Sequence, residues 1–376
     1  MCPVDIADIQ NEANALGFSL LGIREPIRPM HFEIFEAWTG KGLHASMQWL
    51  SANHSRRLRA NPAQLLAGSR SLISLAVAYP SNTNIRSFPG FGRIASYAWV
   101  IDYHFALTKK LKDLSNRIRL ITGSSARSKV FVDSSPLMER DFATMSGLGW
   151  IGKNTCLISP VLGSYLFLAE ILMDIELPIT EPFNYDRCGT CQKCMDACPT
   201  HCIRPNRTID SNMCISYLTI EHNGIIPRDL RNPIGDWVFG CDICQIVCPW
   251  NRKAASQPFS PALTRILETG TIDLGKDITL TSNTFFDLYA QLPIKRAGWE
   301  KYLRNVIIST GNSRDPKFIQ PLSEILMQNP TPLLRSHAAW AIGQIDDVRS
   351  KNILQNALTN EMDDSVRSEI LNVLAN

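Results

Sequence analysis

Short apolar runs alternate with segments of helical period along the first 175 or so positions. "GFSLLGI" (17–23) and "SLISLAVAY" (71–79) are brief, continuous and rich in branched residues, the pattern of strands buried on both faces. "SKVFVD" (128–133) and "YLFLAEILMD" (165–174) predict two more strands, the first ending on an acid. Residues 4–16 place apolar side chains at amphipathic-helix spacing, and 101–119 predict a second helix. This is a mixed α/β unit. Between about 180 and 255 the periodic runs stop and Pro and Asn become frequent. From about 280 helical periodicity returns and repeats: "LRNVIISTGN" starts at Leu303, "LRSHAAWAIGQ" at Leu334 and "VRSEILNVLAN" at Val366, 31 and 32 residues apart. Each segment opens a helix after a loop, which predicts a short stack of HEAT-like helix pairs, with an ordinary helical bundle as the alternative. The fold class expected is multidomain α+β, divided as 1–177, 178–257 and 258–376.

Composition narrows the picture. A chain of 376 residues accommodates two to three domains, and 45% hydrophobic with 19% charged residues supports folded cores. A net charge of +3 is too small to argue for nucleic acid by itself. The N-terminus has no basic start followed by an apolar run, and no stretch reaches ~18 apolar residues. A soluble, cytoplasmic protein is expected, without a membrane partner and with no long apolar seam to force oligomerisation, hence a monomer.

The cysteines change the picture most. Nine of eleven lie within 188–248, eight of them at ligand-like spacing. A disulfide framework would spread along a small secreted chain, so metal binding is favoured. "CGTCQKCMDACP" is the run C-x2-C-x2-C-x3-C-P, in which three cysteines ligate one 4Fe–4S cluster and the fourth ligates a second. Cys241, Cys244 and Cys248-Pro249 form a second set lacking one member, which Cys214 can supply. The expected partition is Cys188, Cys191, Cys194 and Cys248 on one cluster, and Cys198, Cys214, Cys241 and Cys244 on the other. Zinc and redox thiols are the competing readings. Zinc seldom uses four cysteines at this density before a proline, and a redox pair would need only two. Cys2, Cys156 and Cys202 are left over and read as packing residues. Two clusters make a wire, and the remaining 300 or so residues must hold a substrate, a second cofactor, or both.

"RRLRANPAQLLAGSRSLISLAVAYP" (56–80), "RIASYAWVIDYH" (93–104), "FVDSSPLMERDFATMSGLGWIGKNTCLISP" (131–160) and the cysteine pattern occur in this order. From about residue 15 to 255 the chain resembles the epoxyqueuosine reductases, and the C-terminal repeats agree. The resemblance implies a cobalamin held by the N-terminal domain and a ferredoxin-like two-cluster domain at 178–257. It also implies helical repeats at 258–376 that contact tRNA. Electrons would pass through the clusters to cobalt and reduce epoxyqueuosine to queuosine at the tRNA wobble position. The electron donor is not identified. No protein ligand to cobalt is implied. Ser135 stands where the family more often has Gly.

Opening an epoxide leaves an alkoxide, and loss of its oxygen as water needs protons. A carboxylic acid at the end of the strand "KVFVD" suits that role, and the resemblance places the family's proton donor at Asp133. The competing reading is a cap for a helix beginning near Pro136. Cofactor contacts are expected from Arg57, Tyr97, Asp133, Ser134, Ser135, Lys153, Asn154 and Thr155. The glycines of "GLGWIGKNT" (147–155) would let backbone approach a flat cofactor, although a Gly-rich loop is by itself weak evidence for more than a turn. "DYH" (102–104) is a further pocket candidate, with His104 alone reading as a satisfied core residue. Lys295, Arg296, Lys301 and Arg304, interleaved with aromatics, are the expected tRNA contacts, beside "SRRLR" (55–59); a solvated helix face is the bland alternative. Two other functions fit part of the pattern: a dehalogenase-like corrinoid reductase of a small molecule, and a non-catalytic electron-transfer scaffold.

Overall fold

The computed structural model describes residues 5–81, 88–254, 259–345 and 347–375; Cys2 and residue 4 lie outside them. The apolar run in the seventies forms the strand Ser71–Ala78, buried along all but its last residue. It pairs with Leu20–Arg24 on one side and Leu166–Met173 on the other, and Ser128–Phe131 follows beyond Leu166–Met173. The four strands expected from the apolar runs are therefore one sheet. The first begins at Leu20, later than its apolar run, because Gly17 takes a φ of 91° and turns the chain out of the helix Ile6–Ala15.

Every pairing in this sheet is antiparallel. The rule that ligands gather beyond the ends of parallel strands therefore does not locate Asp133, and local turn geometry has to. Side chains alternate across a strand. Leu72 faces Leu172 and Ser74 faces Glu170 across the central pair, so Leu72, Ser74, Ala76, Glu170 and Leu172 share one face. The helix Glu139–Met145 packs there. Phe142 joins Leu72, Phe131, Leu137 and Leu172, and Ala143 joins Ala76, Leu148 and Leu157. The helix expected at 101–119 runs from Tyr103 to Thr122 and packs on Ser128–Phe131 and Leu166–Met173.

The chain divides into two compact units. The first is Met1–Thr83, Val100–Asn212 and Ile243–Ile266; the second is Asn84–Trp99, Met213–Asp242 and Leu267–Asn376. They interleave along the sequence. The reason is a three-stranded sheet in the second unit, in which Phe91–Ile94 lies between a parallel Trp237–Phe239 and an antiparallel Thr271–Asp273.

In the second unit the helices Trp299–Ser313, Pro332–Gln344 and Asp364–Leu374 carry the three repeated segments and pack on one another in that order. Ile319–Gln328 and Val348–Asn360 alternate with them and pack alongside. The first two carriers approach closely: a Cβ on Gly311 would sit 2.8 Å from the Ala341 Cα. Asp347 and Asp363 cap their helices by accepting from the Arg349 and Ser365 N–H groups at 2.8 and 2.9 Å. Each helix pair buries its apolar stripe against the next, as solenoid repeats do. Among the described residues no helix is long and apolar enough to cross a membrane.

Candidate functional site

The strand Ser128–Phe131 ends in a tight turn, and Asp133 takes a φ of 53° within it. A left-handed backbone is uncommon for a residue with a side chain, and asparagine and aspartate tolerate it best. Two groups hold the turn. The Asp133 N–H donates to Glu139 Oε1 at 2.8 Å, and the Tyr103 hydroxyl donates to Asp133 Oδ2 at 2.8 Å. His104 Nε2 stands 3.9 Å from the same carboxylate oxygen, while its Nδ1 lies 2.7 Å from Asp102 Oδ1. The Asp133 side chain keeps about half its surface open, at 52%. Tyr103 is fixed between rings, with the centroids of His104 and Phe167 at 4.2 and 4.0 Å.

The capping alternative for Asp133 is not realised. The nearest helix starts at Glu139, after Met138, with no side-chain cap. The cap in this region is Asp102, which accepts from the His104 N–H at 3.2 Å and starts the helix that carries Tyr103. His104, read from sequence as a core histidine, is thereby aimed at the Asp133 carboxylate.

Behind the turn lie two carboxyls that the sequence reading passed over. Glu170 is fully buried in the middle of its strand. Neither of its oxygens finds a donor among the described residues other than the carboxyl of Glu139. Burial, then the negative charge of Asp133, pushes Glu139 up to about 8. Burial, then Glu139, pushes Glu170 well above the usual carboxylate range. The signal was present: a lone Glu inside "LFLAEILM" is a charge where a buried strand tolerates none without a partner.

The thiols of Cys188, Cys191, Cys194 and Cys248 line one cavity of about 260 Å³, with Lys153, Asn154 and Trp250 on its wall. These are the four residues assigned to one cluster, gathered within the first unit. Burial pushes the Cys194 thiol up to about 11, so the positive charge of bound iron would be needed to hold it as thiolate. Trp150 Nε1 lies 3.4 Å from Cys188 Sγ as a donor to that ligand. Of the other four, Cys198 and Cys244 belong to the first unit and Cys214 and Cys241 to the second. Cys202 is buried 3.5 Å from Cys198 Sγ.

The loop "GLGWIGKNT" serves this cavity. Trp150–Ile151 and Leu157–Ile158 form a small antiparallel hairpin. A Cβ on Gly149 would fall 2.1 Å from the Ile158 carbonyl oxygen, so that glycine is required by the hairpin itself. Lys153 Nζ donates to the carbonyls of Gly189 and Cys191 at 2.8 and 2.9 Å, tying the hairpin to the cysteine loop. Asn154 is buried, with Oδ1 accepting from the Cys156 N–H at 3.3 Å. Lys153 is thus engaged at the cysteine loop, and Asn154 within its own hairpin turn. Thr155 takes a φ of 65°, and its carbonyl accepts from Arg140 at 2.6 Å.

The remaining candidates are dispersed. Ser134 is exposed and Ser135 half-buried in the Asp133 turn. Arg57 is exposed, 3.3 Å from His54 Nδ1, while Arg56 pairs with Glu36 and Arg59 is buried over Phe35. Tyr97 lies in the second unit, its ring 5.9 Å from that of Phe239. Lys295 donates to the Ala290 carbonyl at 3.0 Å, Arg296 pairs with Glu221 at 2.7 Å, and Lys301 is half-buried. Arg304 corrects the expectation of a tRNA contact. It is fully buried and donates to the carbonyls of Leu218, His222 and Gly224 at 2.7, 2.9 and 3.0 Å. A guanidinium engaged on three carbonyls inside the fold presents nothing to a phosphate.

Residues 187–251 match the 4Fe-4S double cluster binding domain, and 296–375 match HEAT repeats. With the carboxylate turn, they define an iron–sulfur oxidoreductase built on a repeat scaffold. Residues 59–134 match the family described as epoxyqueuosine reductase QueG, DUF1730. The chain is 36% identical to the epoxyqueuosine reductase of Xanthomonas campestris over 91% of its own length and 97% of the relative's. It belongs to the epoxyqueuosine reductase family. Among solved structures it resembles an epoxyqueuosine reductase crystallised with an epoxyqueuosine-modified tRNA-Tyr stem loop, with a TM-score of 0.90, 28% identity and coverage of 98% of this chain and 97% of that one. It also resembles the Bacillus subtilis enzyme captured with an aspartate-bearing catalytic loop swung out of the active site, with a TM-score of 0.88, 26% identity and 98% of each chain covered.

Proposed function

We propose that this protein reduces epoxyqueuosine in tRNA to queuosine, with electrons drawn through two 4Fe–4S clusters and Asp133 as proton donor. The observation that carries the reading is the Asp133 turn. A carboxyl held half-open on a strained backbone, bonded by Tyr103 and anchored by Glu139, has the exposure and the fixed position a donor needs. Family membership supplies the substrate class, and a tRNA substrate implies a cytoplasmic enzyme. The exposed polar rim formed by Asp133 and Ser134 suits the edge of a cobalamin, and Arg57 and Tyr97 remain candidate contacts. Bound there, cobalamin would supply a strongly reducing centre that accepts electrons from the clusters. Cys188, Cys191, Cys194 and Cys248 would hold one cluster, and Cys198, Cys214, Cys241 and Cys244 the other. Tyr103 orients the Asp133 carboxyl, and His104 Nε2 stands 3.9 Å from it. Lys295, Arg296 and Lys301 are the proposed phosphate contacts, acting as a monomer on the anticodon stem.

The test is mass spectrometry of nucleosides from epoxyqueuosine-bearing tRNA, incubated anaerobically with the iron-loaded protein and a reductant, with and without cobalamin. Cobalamin-dependent queuosine is the expected result. Protein that holds both clusters and cobalamin yet gives no product would point to a small-molecule corrinoid reductase. Protein that binds no cobalamin would point to an electron-transfer scaffold.

A further inference from the structure

Deoxygenating an epoxide has a proton count that one aspartate does not meet. Two C–O bonds break, a C=C bond forms, and the oxygen leaves as water, so each turnover consumes two electrons and two protons. The electrons come from a low-potential one-electron donor by way of the clusters. Asp133 carries one proton. The second has to reach the same oxygen as the second C–O bond breaks.

The structure holds a place for it. Glu170 is fully buried on the sheet face that the helix Glu139–Met145 covers, directly across from Ser74. Ser74 is fully buried as well, and its Oγ finds no hydrogen-bond partner among the described residues. Among the described residues the Glu170 carboxyl meets only the Glu139 carboxyl, and Glu139 in turn accepts the Asp133 N–H at 2.8 Å. Two adjacent carboxyls shielded from water do not both ionise, because neither charge is solvated and each repels the other. At rest both hold a proton, and once one has been given up the single proton left between them satisfies both. The charged groups near the pair are few: Asp133 adds negative charge, and Arg140 and Arg59 oppose it at longer range.

We propose that the Glu139–Glu170 pair stores the second proton of the deoxygenation and returns it to Asp133, while Glu139 also keeps the Asp133 turn closed. The inference rests on the reading of Asp133 as proton donor. In the first half of the reaction Asp133 protonates the oxygen as the first C–O bond breaks. The pair then reprotonates Asp133, which protonates the resulting hydroxyl as it leaves as water and the alkene forms. The pair ends sharing a single proton and Asp133 ends ionised, and the two protons consumed are regained from solvent before the next turnover. Glu139 and Glu170 are positioning residues here, since neither touches the substrate.

Glu139→Gln and Glu170→Gln test this, with Asp133→Asn alongside, in the cluster-loaded and cobalamin-loaded enzyme acting on an epoxyqueuosine stem loop with dithionite. Both glutamine variants should keep their iron content and KM while kcat falls on the order of tenfold or more. Their kcat should also lose the wild-type decline toward alkaline pH. Infrared difference spectroscopy should show a protonated-carboxyl carbonyl band in the wild type that Glu170→Gln removes. Wild-type kcat and pH profile in both variants, or no such band, overturns the inference. If Glu170→Gln fails to fold, the half-buried Glu139→Gln and the wild-type infrared band still decide it. Turnover in Asp133→Asn would sink the proton-donor reading. Inactive Asp133→Asn with unaltered glutamine variants would sink the inference alone.

Discussion

Glu170 in the first unit and Arg304 in the second are both fully buried charged residues, and their surroundings are opposite. Arg304 donates to three backbone carbonyls and also bonds Asn305 Oδ1, at 3.1 Å from its Nε. Burial pulls it down to about 9, which still leaves it charged at neutral pH. Among the described residues Glu170 faces another acid and no cation. A buried charge that is fully satisfied is part of the scaffold, and its loss destabilises the fold. A buried acid with only an acid for company keeps a proton that chemistry can use. The contrast also shows why a row of basic residues in sequence is a poor guide to nucleic-acid contacts: burial, which the row does not display, sorts Arg304 from its neighbours.

The largest effect that would break this contrast is on Asp133. Asp133→Asn should lower turnover on the order of 10²–10⁴-fold while iron content and cobalamin binding stay unchanged. Nucleoside mass spectrometry beside an iron assay measures both. Cys214→Ala should remove one cluster specifically, leaving roughly half the iron; unchanged iron would mean the ligand partition is wrong. For the satisfied charge, Arg304→Met should cost about 3 kcal/mol of stability by stranding the carbonyls of Leu218, His222 and Gly224. Denaturant unfolding would show it, and an unchanged midpoint would deny Arg304 its structural role.

The unsatisfied acid should show in pH dependence. Glu139 and Glu170 bind protons more tightly folded than unfolded, so their stabilising contribution is present below the ordinary glutamate range. It is lost as pH rises through about 8. Replacing Glu170 with Gln should flatten the fall in melting temperature between neutral and alkaline pH. A slope as steep as the wild type's would mean the pair is already ionised. The smallest effect belongs to the surface. Lys301→Glu should weaken tRNA binding by a few-fold and shallow the salt dependence by about one counterion, without changing kcat at saturation.

Local pattern carried much of this protein. The apolar runs at 71–79 and 165–174 became Ser71–Ala78 and Leu166–Met173 nearly to the residue, because a strand buried on both faces cannot hide its composition. The repeats at Leu303, Leu334 and Val366 lie in helices that stack, because each helix pair needs its neighbour to bury an apolar stripe. Cysteine spacing marked the cluster module, since thiolate ligands must recur at the turns that wrap a cluster. Other residues have partners that spacing does not display. Lys153, expected to contact a cofactor, also ties down the cysteine loop, and Gly149 makes room for a hairpin carbonyl.

The chain alone thus determined its family, its iron–sulfur module, its strands and repeats, and the aspartate at the end of "KVFVD". These follow from spacing and polarity over a few residues. Only the tertiary structure brought Tyr103, Glu139 and Glu170 to that aspartate, from positions 30, 6 and 37 residues away. It also buried Arg304 and drew Asn84–Trp99 and Met213–Asp242 into the second unit. Which carboxyl keeps its proton depends on what surrounds it in space. That environment is assembled from distant segments by strand pairing and helix packing, and no local window of sequence contains it.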